Sequence, residues 1–264
     1  METVHENGFV KLIDTMPREN LDDSIVQAAR VSYGDGTKTS RSSEGLLRYL
    51  LRHWHTTPFE MVDFKFHIKM PIFVARQHLR HRTASVNEMS ARYSVVPTDF
   101  FVPTEYRKQS QVNKQSSEGV LELDWDPAKV AEESFESYDK LLSEGCCREL
   151  ARCHLPQSTY TEFYWKINLH NLMHYLQLRM ESGAQQEIRD YANAIYRLVE
   201  PLAPLTMKAF MDFRVNTVQL TGPEISKITD GKLSEEELSD MSPGERREFI
   251  QKLKKLNILK TNGS

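Results

Sequence analysis

Between Arg80 and Ser94 the chain reads RHRTASVNEMSARYS, a run dense in groups that hold anions. Arg80, His81 and Arg82 stand in succession, and such neighbours repel one another unless an anion lies among them. Guanidinium groups grip phosphate through paired hydrogen bonds, so a multiply phosphorylated ligand suits this cluster as counterion. If the following chain runs extended, Glu88, Ser90 and Arg92 point to one side at two-residue spacing. A carboxylate, a hydroxyl and a guanidinium in that row could span a nucleotide from sugar to phosphate. The same residues also read as a solvated basic helix end followed by a polar loop, and cluster chemistry alone does not choose between the two.

Three further groups could carry chemistry. Arg179 falls in one helical stripe with Leu172 and Leu176, where an arginine either snorkels from the core face or is fixed for a purpose. His170 and His174 share the other face of that helix at the spacing of paired zinc ligands. The metallopeptidase pattern needs Glu where Asn171 stands, so these are read as polar histidines and no metal is expected. Cys153 beside His154 resembles a thiol nucleophile with its base. Adjacency in sequence is not proximity of the reacting atoms, however, and Cys153 is not expected to be a nucleophile.

The elements that must position these groups follow from periodicity. Gly8 to Met16 and Val62 to Ile68 alternate as strands, and the aromatic stretch Thr159 to Ile167 reads as another. Helices are expected over Leu21 to Val31, Ser43 to His53, Ala128 to Ser143, Leu169 to Met180 and Gln185 to Val199, with a short one over Arg148 to His154. A turn is expected around Gly34 to Gly36. Pro71 suits the first turn of a helix that buries Ile72, Ala75 and Leu79 and delivers Gln77, Arg80 and His81 from its other side. Glu105 to Gly119 has little to bury and reads as a mobile surface loop. Residues 1–221 read as one domain and 222–264 as a charged helical extension. Its helix starts are written at Ser234 with Glu237 and at Ser242-Pro243-Gly244-Glu245.

Composition narrows the function classes. The 264 residues are 39% hydrophobic and 27% charged with a net charge of -3, so no overall basic field draws the chain to nucleic acid or to an anionic membrane. No stretch approaches the ~20 apolar residues of a membrane span. Three cysteines, Cys146 and Cys147 adjacent, make no disulfide framework, and a cytoplasmic setting is expected.

Arg80-His81-Arg82 with Ser90 after seven further residues matches the RHRx7S signature of the flavin-dependent thymidylate synthases, which this chain resembles from about Gly8 to Phe210. Ser85, Asn87, Glu88, Arg92 and Tyr93, the HTTPFE segment ending at Glu60, PIFVARQ, and Asn168 to Arg179 also look like that family. The resemblance implies an α+β domain, helices around a mixed or antiparallel sheet, in a homotetramer whose sites are built from several chains. A monomer would then be inactive. It implies methylation of dUMP to dTMP with methylenetetrahydrofolate, through tightly bound FAD reduced by NADPH. The absence of GxGxxG agrees with a flavin site outside a Rossmann fold.

Carried over by position, Ser32, Thr57, Arg80, His81, Arg82, Asn87, Glu88, Asn168, His170 and His174 would hold the cofactor. Gln77, Arg80, Glu88, Ser90, Ala91, Arg92, Arg152 and Arg179 would contact the nucleotide. His55 would lie near the reactive side of the flavin. Ser90 and Arg179 would be catalytic, Arg179 beside N3 and O4 of uracil, where a guanidinium stabilises the charge that C5 needs to attack a one-carbon electrophile. Two positions depart from the family: Met61 and Gly183 stand where histidines are common. Two other classes stay open, a nucleotide or RNA-binding module using Arg76, Arg80 and Arg82 with nearby aromatics, and a metal-dependent phosphohydrolase built on the histidines. A flavin spectrum that responds to dUMP separates all three.

Overall fold

The computed structural model describes residues 1–33, 42–111, 116–234 and 236–259, so the turn expected at Gly34 to Gly36 lies outside the described residues. The strands are β1 (Glu2–Val4), β2 (Gly8–Met16), β3 (Asp63–Pro71), β4 (Ser85–Glu88), β5 (Arg107–Gln109), β6 (Ser117–Val120) and β7 (Tyr160–Asn168). Five of them form one sheet in the order β1-β2-β3-β7-β4, antiparallel at every pairing. The expected sheet thus has no parallel pair. Its centre follows from alternation: Phe64, Phe66 and Ile68 of β3 stand opposite Ile167, Trp165 and Phe163 of β7, and all six are buried. Those cross-strand aromatic and β-branched pairs fix the register, because a one-residue slip would turn the whole set to the other face.

The helices of the first unit are α1 (Leu21–Arg30), α2 (Ser43–Arg52), α3 (Thr57–Glu60), α4 (Ile72–His78), α5 (Ala128–Ser143), α6 (Arg148–Ala151), α7 (Leu169–Arg179), α8 (Gln186–Val199) and α9 (Pro204–Phe210). Capping explains several starts. The Ser42 hydroxyl accepts from the Gly45 amide at α2, and the Asn168 side chain accepts from the Asn171 amide at 2.9 Å at α7. Asp22 does this across the fold. Its carboxylate accepts from the Leu205 and Thr206 amides at 2.9 and 3.0 Å, tying α1 to the first turn of α9. Helix α8 packs on α4, α7 and β1–β2, so the elements carrying the expected site share one scaffold.

Within the first unit, the start and face of α4 and the segment over 105–119 differ from expectation. Pro71 ends β3 with extended geometry and caps α4 instead of opening it. The buried stripe of α4 is Val74, Ala75 and His78, a different phase from Ile72, Ala75 and Leu79, and Leu79 lies past the helix as its C-cap. The expected loop over 105–119 is built around the β5–β6 hairpin, which Arg107 anchors to Glu187 of α8. Its low apolar content concealed it, since the anchor is ionic.

The chain divides into Met1–Met211 and Asp212–Ser264. In the second unit, α10 (Gly222–Thr229) begins with a capping box of Thr221 and Glu224, and α11 (Pro243–Lys255) with the expected one of Ser242 and Glu245. Ser234 and Glu237 also exchange the capping hydrogen bonds, but around a turn and not a helix. Leu238, Phe249 and Leu253 form its core, and Lys252 pairs with buried Glu224 at 2.9 Å. Among the described residues no helix is long and apolar enough to cross a membrane.

Candidate functional site

Helix α4 ends at His78 and the chain turns at once, with the His81 amide on the His78 carbonyl at 3.2 Å. This brings His81 under the last turn of α7. There Arg179 Nε donates to His81 Nε2 at 3.1 Å, and Arg179 Nη2 donates to the Gln77 carbonyl at 3.1 Å. His81 can accept only if that nitrogen carries no proton, which puts the ring proton on Nδ1. Burial, the Arg179 charge and His174 together lower the His81 pKa to about 4, so the ring stays neutral at physiological pH. The His174 ring lies 5.8 Å from that of His81.

Of the five N–H donors of a guanidinium, two of Arg179 are thus committed and about three remain. Arg179 lines a cavity of about 410 Å³ together with Gln77, Leu178, Glu181, Gly183, Ala184 and Gln185. A guanidinium oriented by two fixed acceptors presents its remaining donors without reorganising, which is the arrangement that stabilises a developing negative charge. At Gly183, one of the departures from the family pattern, an added Cβ would meet only the flexible end of Glu181, at 2.9 Å.

Beneath this pair sits His78, which no motif indicated. It is fully buried, its Nδ1 is 2.9 Å from the Tyr175 hydroxyl, and its ring meets Trp165 edge-on at 4.3 Å. Burial, with His81 and Arg179 nearby, lowers its pKa to about 3. The Tyr175 hydroxyl, also buried, is pushed up. Its sequence signal was the i, i+4 relation to Val74, which puts a histidine in the core stripe. Glu187 was also missed. It shares a face of α8 with Tyr191 and Ile195, and an acid in an apolar stripe is the sign that a partner waits there.

The remaining expected residues are divided among other places. Ser32 and Thr57 line an apolar cavity of about 880 Å³ with His55, Tyr49, Leu50 and Met61. Arg80 and Arg82 are exposed beyond α4 and have no acidic partner among the described residues. Asn87 and Glu88 lie on β4, and Glu88 accepts from the Thr161 hydroxyl at 2.6 Å. The extended row expected through Glu88, Ser90 and Arg92 stops after Glu88. The amides of Tyr93 and Ser94 both fold back onto the Ser90 carbonyl, and the Ser90 hydroxyl accepts from the Arg92 amide at 3.3 Å.

Ala91 packs against the cluster of Val96, Phe135, Tyr138 and Ala151. Arg92 pairs with Glu149 at 3.0 Å beside a cavity of about 520 Å³ that Cys146, Cys147 and Arg148 also line. Both partners are more than half exposed, so the pair is weak and open to exchange for a better anion. Arg152 and Cys153 lie on the exposed turn after α6. Asn168 spends its oxygen on the cap of α7, with His170 half-buried two residues on. Among the described residues no group of three or more His, Cys, Asp or Glu side chains could hold a metal ion. One chain therefore gathers Gln77, His81, His174 and Arg179, and leaves Ser32 with Thr57, and Arg92, beside separate cavities.

Over residues 11–205 the chain matches the family described as Thymidylate synthase complementing protein. A flavin-dependent thymidylate synthase of Dictyostelium discoideum is 51% identical to it over 267 aligned positions, covering 96% of this chain and 86% of that protein. One from Thermus thermophilus is 52% identical over 229 positions, covering 85% of this chain and 83% of that protein. Among solved structures, that of the UMP/dUMP methylase PolB from Streptomyces cacaoi, bound with 5-Br dUMP, is similar with a TM-score of 0.71 at 34% identity. The likeness covers 80% of this chain and 97% of that one.

Proposed function

The chain belongs to the flavin-dependent thymidylate synthase family, and on that premise we propose that it makes dTMP by reductive methylation of dUMP with methylenetetrahydrofolate, using FAD reduced by NADPH. The observation that carries the site assignment is the guanidinium of Arg179, held by His81 and the Gln77 carbonyl and presenting its remaining donors to the adjacent cavity. We assign Arg179 to the uracil imide edge, where it stabilises the anionic ring as C5 attacks the one-carbon unit. Neutral His81 is essential to this. Protonated, it would turn an acceptor into a second cation facing the guanidinium.

The side chains present fit a flavin dinucleotide. Arg80 and Arg82, which have no acidic partner among the described residues, offer cations for a diphosphate, and the cavity of about 880 Å³ beside Ser32 and Thr57 has the apolar walls and polar rim of a site for a flat ring. A flavin held by these residues would supply the reducing equivalents for making a methyl group from the methylene unit. Arg80, His81, Arg82, Asn87, Glu88, Asn168, His170 and His174 complete the cofactor set we propose, and Gln77, Arg80, Glu88, Ser90, Ala91, Arg92, Arg152 and Arg179 the nucleotide set. Because Gln77 with Arg179, Ser32 with Thr57, and Arg92 line three separate cavities in one chain, a homotetramer that brings together surfaces of several chains is the assembly we propose. Cys146, Cys147 and Cys153 are all unbridged, which fits a reducing cytoplasmic setting.

The test is direct. The purified protein should be yellow, its flavin spectrum should respond to dUMP, and it should form dTMP from dUMP and methylenetetrahydrofolate with NADPH. A colourless protein that neither takes up FAD nor oxidises NADPH would refute the reading.

A further inference from the structure

Glu187 sits where an acid is costly. Its side chain is only 5% exposed, on the face of α8 that runs through Tyr191 and Ile195 into the core. Burial would push the carboxyl up, but hydrogen bonds from Arg107, its own backbone and Gln185 hold it below the usual carboxylate range. It is therefore ionised, and an ionised carboxylate can only accept. Arg107, from the β5–β6 hairpin, donates to one oxygen at 2.5 Å, and Gln185 Nε2 donates to the other at 2.7 Å.

That fixes the polarity of the Gln185 amide. With its nitrogen on the carboxylate, its oxygen is free to accept, and it takes a hydrogen bond from Gln77 Nε2. The Gln77 amide is fixed in turn, and its oxygen has no hydrogen-bond partner among the described residues. Gln77 lines the same cavity as Arg179, and its backbone carbonyl is one of the two acceptors that hold the guanidinium.

We propose that Arg107 and Glu187 are positioning residues for the nucleotide: through Gln185 they orient Gln77 so that it meets the substrate as a hydrogen-bond acceptor. This rests on the reading of the cavity as the dUMP site. Arg179 offers only donors, so the two neighbours are complementary and together recognise a ligand edge with both an acceptor and a donor. The ring carbonyls of dUMP can only accept. Its donors at neutral pH are the imide N–H and the sugar hydroxyl, and Gln77 takes one of these. A ligand lacking that donor leaves the oxygen of Gln77 unpaired and is rejected.

The experiment is a double-mutant cycle on the full-length, flavin-loaded protein, measuring dUMP affinity by calorimetry. Glu187→Gln should weaken dUMP about tenfold, the scale of one hydrogen bond to a misoriented partner, with flavin content and dUMP-independent NADPH oxidation unchanged. In the Gln77→Ala background the same change should cost less than about twofold, because the group through which it acts is gone. Equal losses in both backgrounds, or no loss in either, would overturn the proposal. Arg107→Met, at the more exposed end of the chain of contacts, supplies the same cycle if Glu187→Gln fails to fold. N3-methyl-dUMP and 2′,3′-dideoxy-UMP identify the donor: one of them should bind the wild type weakly and the Gln77→Ala variant no worse. If neither loses affinity, the acceptor assignment fails. Should the wild type not bind dUMP at all, the functional reading falls by itself. The relay is then judged from a ligand-free crystal structure of Glu187→Gln, in which loss of the Gln77–Gln185 hydrogen bond supports it and an unchanged amide pair overturns it.

Discussion

The buried pair of His78 and Tyr175 should set much of the acid limit of this fold. In the unfolded chain His78 takes up a proton near its ordinary value of 6.5, whereas in the folded chain it does so only at about pH 3. Its contribution to stability is therefore complete above pH 6.5 and is lost as the pH falls toward 3. Within that window the unfolded state holds one more proton than the folded state, which costs about 1.4 kcal/mol per pH unit and up to about 5 kcal/mol in all. His81, with its value lowered to about 4, bends the same limb in the same direction.

The perturbation that isolates the term is His78→Leu combined with Tyr175→Phe, which removes both polar partners and keeps apolar volume in the site. His78→Leu alone strands the Tyr175 hydroxyl without its 2.9 Å partner and should cost about 1–3 kcal/mol at pH 8, more than the double variant does. Urea unfolding at fixed protein concentration, at pH 8, 6.5 and 5, gives the readout. Between pH 6.5 and 5 the wild type should lose about 2 kcal/mol more than the double variant. Identical pH slopes would mean that His78 titrates normally. A double variant less stable than His78→Leu would mean that the hydrogen bond is not what the site is built around.

Arg179→Lys should keep bound flavin but lower dTMP formation by about 10²–10³-fold, since an ammonium cannot reproduce the fork held by His81 and Gln77; near-normal turnover would remove the guanidinium from the mechanism. Gly8→Ala should lower the melting temperature, by about 1–3 kcal/mol of stability, because the new Cβ would lie 2.0 Å from the Tyr191 hydroxyl and 2.6 Å from the Val4 carbonyl. An unshifted melt would show that Tyr191 can leave its 2.8 Å hydrogen bond to the Lys69 carbonyl at no cost. Cys153→Ala should retain turnover, because the thiol lies exposed on the turn after α6; a folded but inactive variant would revive a thiol nucleophile.

The parts of the fold that a local rule determines were legible. Alternation placed β2, β3 and β7 to within a few residues, and apolar spacing placed α2, α5, α7 and α8, because each pattern records one buried face. Where two rules compete, reading fails. At Pro71 the proline is equally suited to end a strand or open a helix, and the first residue of α4 depends on which it does. The β5–β6 hairpin carries little apolar signal because Arg107, a surface-type residue by composition, is its anchor.

The site was legible only where its chemistry is contiguous. Arg80 to Ser94 advertises anion binding by residue type, but nothing local says that Arg179 donates to His81, 98 residues earlier, or that Gln185 meets Gln77 across 108. Those contacts exist because β3 and β7, which lead into α4 and α7, pair with each other, and α8 packs on both helices, so they are consequences of sheet register. Register also explains why His78 is neutral: the strand that carries Trp165 and Phe163 walls it off from water. A lone histidine within a cationic motif reads as one more positive charge. Once the sheet is assembled, His78 and His81 are neutral, and the cluster that resembled a continuous basic patch becomes one oriented guanidinium held by neutral acceptors, with two exposed arginines beyond it. That difference matters chemically. A patch binds any anion in proportion to charge, whereas a single guanidinium with its orientation fixed selects for where on the ligand the charge develops.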